Sequence, residues 1–195
     1  MNSLLSGRTV VVTRATEQAG MLSECLTREG ATVIELPMVE IQDPEDGGAA
    51  LEKAAHDLKN YDWVVVTSPN AASRLIDVLD EGVPSVPFAV IGTQTAEVLV
   101  KAGCQVNLIP KKAVGESLLS EFASPNNDEE RILFIRAEKV RPLLANGLRN
   151  LGWRVEEVIA YRNVQPQVDE EKLKQAQNAD AVIFASTSAV ERYTA

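Results

Sequence analysis

Residues 10–36 read VVVTRATEQAGMLSECLTREGATVIEL, and residues 132–158 read ILFIRAEKVRPLLANGLRNLGWRVEEV. Laid side by side without a gap, Arg14 falls on Arg136, Ala15 on Ala137, Gly30 on Gly152, Val33 on Val155 and Glu35 on Glu157. Each stretch opens on an apolar run of strand length, continues with helical spacing and stops at a glycine before a second β-rich run. That is the strand–helix–strand order of a parallel sheet. Generic βα periodicity accounts for the apolar matches. It does not account for Arg-Ala and Gly at fixed places, so we read an internal duplication.

A second pair supports the first. Residues 61–75 (YDWVVVTSPNAASRL) match residues 179–193 (ADAVIFASTSAVERY), with Asp62 on Asp180, Ser68 on Ser186, Ala71 on Ala189 and Arg74 on Arg192. The same alternation continues along the chain. Strands are expected at 8–13, 32–36, 63–67, 88–91, 105–109, 131–136, 153–160 and 181–184. Helices are expected at 17–29, 48–58, 70–79, 95–101, 116–122, 141–151 and 170–177. The stretches 42–48 (QDPEDGG) and 124–130 (SPNNDEE) read as solvated connections. The counterpart of 88–109 would lie beyond Ala195, so the half that closes the chain is expected to be incomplete at its C-terminal side.

Bulk properties exclude several classes. A hydrophobic fraction of 45% and a charged fraction of 24% are those of a globular chain of 195 residues. A net charge of −9 argues against nucleic acid as a partner, while leaving room for a local cluster of donors around a small anion. The opening MNSLLSGR is too short and polar for a secretory signal, and the apolar runs are strand-sized, so no membrane partner is expected. Cys25 and Cys104 have no CxxC spacing and read as two buried, reduced thiols of a cytoplasmic protein. His56 is the only histidine and sits among Lys53, Asp57 and Lys59, a solvated helix face. Metal constellations, a His-activated nucleophile and phosphate-binding glycine loops all lack their residues.

What remains is a set of hydroxyl-rich turns at strand ends. Ser68 in Thr67-Ser68-Pro69-Asn70-Ala71 and Ser186 in Ala185-Ser186-Thr187-Ser188-Ala189 have N-cap character, and Thr95 lies in the turn Gly92-Thr93-Gln94-Thr95. Each turn alone reads as helix capping. Three together at the carboxyl ends of parallel strands mark the place where α/β sheets bind ligands. Their helix-start N–H groups suit carboxylates. Arg14, Arg136, Lys139, Arg141 and Arg162 also lie at strand ends, and the duplication keeps Arg14 and Arg136 at the same turn. Tyr161 offers a phenol that can donate a proton or hydrogen bond at neutral pH.

Thr13-Arg14-Ala15, Thr67-Ser68-Pro69-Asn70-Ala71, Val90-Ile91-Gly92-Thr93-Gln94-Thr95-Ala96, Ile135-Arg136-Ala137 and Tyr161-Arg162 occur in an order and spacing that resembles the uroporphyrinogen-III synthase family. The resemblance covers the whole chain. It implies an α/β fold of two lobes, each a parallel sheet with flanking helices, joined by a two-stranded β-ladder. Lobe one would be residues 1–37 with 166–195, lobe two residues 42–160, and the ladder 38–41 with 160–165. It implies cyclisation of linear hydroxymethylbilane with inversion of ring D, no cofactor, an anionic tetrapyrrole as the sole partner and a monomeric enzyme. Tyr161 would assist hydroxyl departure, and Arg14, Ser68, Thr95, Arg136 and Ser186 would contact the substrate. Two other readings stay open on the residues alone: a non-enzymatic two-lobed ligand-binding or sensory domain, and a flavodoxin-like flavin or nucleotide binder.

Overall fold

The computed structural model describes residues 3–79 and 85–194. The chain forms two compact units, Met1–Gln42 with Asn163–Ala195 and Asp43–Arg162. The first unit is built on β1 (Thr9–Val12), α1 (Thr16–Arg28), β2 (Thr32–Glu35) and β3 (Glu40–Gln42). The second contributes α2 (Ala49–His56), β4 (Trp63–Val66), α3 (Pro69–Asp77), β5 (Phe88–Val90), α4 (Thr93–Lys101), β6 (Val106–Leu108), α5 (Gly115–Glu121), β7 (Arg131–Ala137), α6 (Leu143–Asn150) and most of β8 (Arg154–Val164). The chain then returns to the first unit for α7 (Glu170–Ala176), β9 (Ala181–Ile183) and α8 (Thr187–Tyr193).

In the first unit the strands run β2-β1-β9, all parallel, with Val10 opposite Ala181 and Val11 opposite Ile34. β1 pairs across a chain separation that only a crossover topology provides, so it shares its sheet with β9 and not with β4. Val11, Ile34, Leu36 and Met38 pack with Ala176 of α7 and Ala189 of α8. In the second unit the order is β8-β7-β4-β5-β6, again parallel. Its inner strands β4 (WVVV) and β5 (FAV) are apolar throughout, as strands covered on both faces are. Phe134, Ile132, Leu118 and Leu148 are fully buried there, beside Trp63, Phe122 and Trp153. Burial of each large side chain stabilises the unit by roughly 1.5–3 kcal/mol before entropy is counted.

The two sheets explain which residues the duplication retains. β2-β1-β9 corresponds to β8-β7-β4, and α1 ends as α6 does. Gly30 and Gly152 both take positive φ (90° and 106°), which favours glycine. Past them, Ala31 N–H donates to Leu26 C=O at 3.1 Å, and Trp153 N–H to Leu148 C=O at 3.2 Å. Asp62 accepts from the first N–H of β7, at Arg131 (2.7 Å), and Asp180 accepts from the first N–H of β1, at Thr9 (2.8 Å). Ser68 and Ser186 cap α3 and α8 through Ala71 and Ala189 N–H, each at 3.2 Å. Arg74 pairs with Asp43, and Arg192 donates to the carbonyls of Met38, Asn163 and Val164. The repeated arginines thus tie down the segments through which the chain leaves and re-enters each unit.

Several expectations are corrected. Cys104 is buried but Cys25 is exposed, because α1 turns Ala19, Leu22 and Leu26 inward and leaves Cys25 on the outer face. α4 starts at Thr93, two positions before the expected 95, so Thr95 lies in its first turn and not ahead of it. The expected separate strands 153–160 and 160–165 are one continuous β8. Among the described residues no helix is long and apolar enough to cross a membrane.

Candidate functional site

Ser68 follows β4 and Tyr161 lies opposite Ala137, the last residue of β7, so both stand at the carboxyl edge of the second sheet. Their side chains meet there, Ser68 Oγ to Tyr161 Oη at 3.1 Å. The Tyr161 ring is held by packing, with the residue 6% exposed. Its placement depends on a local irregularity. Arg136 pairs with Ile159, but Ala137 pairs with Tyr161, so Ala160 is an extra residue in β8. Two successive buried residues, Ala160 and Tyr161, mark the break in alternation. Such shifts re-aim a side chain.

A cavity of about 250 Å³ opens on the same edge, lined by Thr67, Ile91, Phe134, Leu143 and Leu144 with Arg141 at its side. Arg141 is 76% exposed on its side chain and makes only a 3.6 Å contact to Glu116. Apolar walls with one available guanidinium suit a flat ring that carries a carboxylate. Sequence reading placed Arg141 at a strand end but had no means of seeing the cavity, whose walls come from five separated segments.

The paired arginines differ. Arg136 is engaged: Nε donates to Glu157 Oε2 at 2.7 Å, and Nη1 to the carbonyls of Ala137 and Glu138 at 2.8 and 2.7 Å. Arg149 also donates to Glu157, at 2.8 Å. Burial pushes the Glu157 carboxyl upward, but the hydrogen bonds and charges of Arg149 and Arg136 outweigh it and hold it below the usual carboxylate range. In the first unit, Arg14 reaches only Gln18, at 3.4 Å, and its Nε is buried without a hydrogen-bond partner. One duplicated arginine is thus locked to a carboxylate while the other keeps donor capacity.

The helix starts differ too. At α3, Pro69 has no N–H and the Ala71 N–H is taken by Ser68, so little remains there for a carboxylate. At α8, exposed Ser186 takes the Ala189 N–H and lies 3.1 Å from Ser188 Oγ. α4 alone of the three has no side-chain cap at its start, Gly92 being the N-cap. Thr95 itself is 3% exposed. Its turn presents Thr93 and Gln94 to solvent instead. The sequence brought Ser68 and Tyr161 forward separately. Nothing in it signalled that they touch, because the contact needs both the β4–β7–β8 pairing and the extra residue at Ala160.

Known proteins resemble this chain in sequence and in fold. The sequence signature described as uroporphyrinogen-III synthase HemD matches residues 21–195. The chain is 32% identical to the uroporphyrinogen-III synthase of Synechococcus elongatus over 94% of this chain and 72% of that protein. It is 31% identical to the chloroplastic uroporphyrinogen-III synthase of Oryza sativa over 94% of this chain and 63% of that one. Among solved structures, a mutant uroporphyrinogen III synthase from Thermus thermophilus aligns with a TM-score of 0.68 at 20% identity, covering 96% of this chain and 76% of its own. The Helicobacter pylori uroporphyrinogen-III synthetase aligns at 0.62 and 16% identity, covering 96% and 77%. With a signature over most of its length, relatives above 30% identity and the same two-lobed α/β fold, the chain belongs to the uroporphyrinogen-III synthase family.

Proposed function

We infer that the chain cyclises hydroxymethylbilane to uroporphyrinogen III with inversion of ring D, a step of porphyrin biosynthesis. Family membership carries the reaction, and the single observation that carries the chemistry is the Ser68–Tyr161 contact at the carboxyl edge of the second sheet. The net change is loss of one water with ring closure, at constant oxidation level. Tyr161 donates its phenolic proton to the terminal hydroxyl of the substrate, and water departs to leave an azafulvene cation. A spiro intermediate forms at ring D, fragments and recloses inverted. The protein's larger task is to hold a flexible polyanion in the closing shape, an effect of proximity and orientation.

Substrate carboxylates are assigned to donors that the structure leaves available. Arg141 beside the cavity and the uncapped start of α4 serve in the second unit, and Arg14 in the first. Ser186 presents its hydroxyl at α8. Arg136 acts through its ion pair with Glu157, shaping the β7 end and not gripping substrate. A small anionic ligand, a monomer and a cytoplasmic setting complete the reading, with the buried Cys104 kept reduced.

The test is to incubate the protein with freshly prepared hydroxymethylbilane, oxidise the products and separate the porphyrin isomers. Isomer III above the uncatalysed background is expected. Only the isomer from closure without inversion would overturn the reading and favour a binding role. Attraction between exposed charges is screened by salt, so KM is expected to rise with ionic strength.

A further inference from the structure

We propose that Ser68 is a positioning residue for Tyr161, its capping role turning its own proton toward the phenol so that the phenol proton points outward. This rests on the reaction assigned above and adds a role that neither capping nor substrate contact requires. A serine hydroxyl offers one proton and two lone pairs. Ala71 N–H donates to Ser68 Oγ at 3.2 Å and occupies one lone pair, because a backbone N–H can only donate. Ser68 Oγ stands 3.1 Å from Tyr161 Oη. The order Ala71 N–H to Ser68 Oγ, then Ser68 O–H to Tyr161 Oη, leaves the phenolic proton free to be given away. The opposite order would spend that proton on serine. Bonds in such a chain polarise one another, and the positive end of the nine-residue helix α3 favours the growing negative charge.

The duplication separates this role from capping. Ser186 occupies the same place in the first unit and caps α8 in the same way. The residue that matches Tyr161 in the ungapped register of β2 and β8 is Val39, which packs on the first unit's core. Capping therefore accounts for serine in both halves, while the phenol, aimed by the extra residue at Ala160, belongs to one.

The proton balance is complete. The phenolic proton goes to the departing hydroxyl oxygen, the carbon–oxygen bond breaks with its electron pair on oxygen, and water leaves. The phenolate that remains accepts the Ser68 O–H bond. The proton shed when the inverted ring recloses and regains aromaticity returns to the phenolate.

Ser68→Gly removes the hydroxyl while keeping a residue favoured at N-caps, and Ser68→Thr keeps the hydroxyl. In the whole chain, Ser68→Gly is expected to lower kcat about tenfold, the scale of one hydrogen bond made in the transition state, with KM unchanged. Ser68→Thr is expected to restore most of it. In a Tyr161→Phe background, Ser68→Gly is expected to cost nothing further. An equal cost in both backgrounds, or a change in KM alone, would overturn the proposal. A readout free of activity is the ¹³Cζ resonance of Tyr161 in tyrosine-labelled protein, identified by its loss in Tyr161→Phe. It is expected to move in Ser68→Gly and hold in Ser68→Thr, and an unmoved resonance in Ser68→Gly would sink the coupling. A wild-type chain that forms no isomer III overturns the reaction instead, and the resonance still reports on the contact.

Discussion

Tyr161 and Glu157 sit four residues apart on β8 and serve different ends. Tyr161→Phe keeps the ring in its packed site and removes the hydroxyl alone. Formation of isomer III is expected to slow by roughly 10²–10⁴, the range for a positioned acid. Thermal unfolding is expected to shift by no more than one hydrogen bond, about 1 kcal/mol. An unslowed variant would leave conformational templating as the source of catalysis. Glu157 belongs to stability. Its folded carboxyl titrates below the unfolded one, so its contribution is present above the unfolded value of about 4.3 and is lost as pH falls through the folded value. Wild type is therefore expected to be more stable than Glu157→Gln at neutral pH, with the difference closing in denaturant titrations as pH falls through the folded value.

At the scale of elements, the duplicated aspartates start strands. Asp62 accepts from Arg131 N–H and Asp180 from Thr9 N–H, and Arg8 holds Asp180 in place at 2.7 Å. Asp62→Ala is expected to cost about 1 kcal/mol and to speed amide exchange at Arg131. Asp180→Ala is expected to speed amide exchange at Thr9. Exchange left unchanged at those two amides would remove the explanation for why both halves keep the residue. Tyr61, next to Asp62, behaves oppositely to Glu157. Burial and the hydrogen bond to Glu156 push its phenol up to about 12. Its contribution is complete below the unfolded value near 10 and is lost as pH rises through the folded value. In alkaline denaturant titrations, Tyr61→Phe is expected to lose less stability than wild type.

On the scale of the molecule, each unit owns a core. Trp63 and Trp153 both lie in the second unit, against Phe122 at ring distances of 5.1 and 5.7 Å. Tryptophan fluorescence therefore reports on that unit alone, while far-ultraviolet circular dichroism reports on both. Among the described residues the first unit's own sheet pairs β2, β1 and β9, while the second unit supplies β8, β7, β4, β5 and β6 to its sheet. The first unit's β9 and α8 stay partly exposed at Val182, Ile183 and Val190. The dichroism transition is expected to begin at lower denaturant than the fluorescence transition. Coincident curves would show that the two units unfold as one.

The alternation of strands and helices, the duplication and the glycine stops were legible in the sequence because they depend on neighbours three to five residues away. The parallel sheet class followed from them, as did the capping serines Ser68 and Ser186, whose partners lie three residues on. Resemblance to a family supplied the crossing of the chain, which periodicity alone does not contain. What Arg136 and Arg14 do was not legible, since identical residues at matching turns meet different surroundings: Glu157 and two carbonyls in one unit, Gln18 alone in the other. Nor was the site. Ser68 and Tyr161 are far apart in the chain, and only the β4–β7–β8 pairing with the extra residue at Ala160 brings their oxygens to 3.1 Å. Local chemistry set the elements, and register between distant strands set which hydroxyls meet.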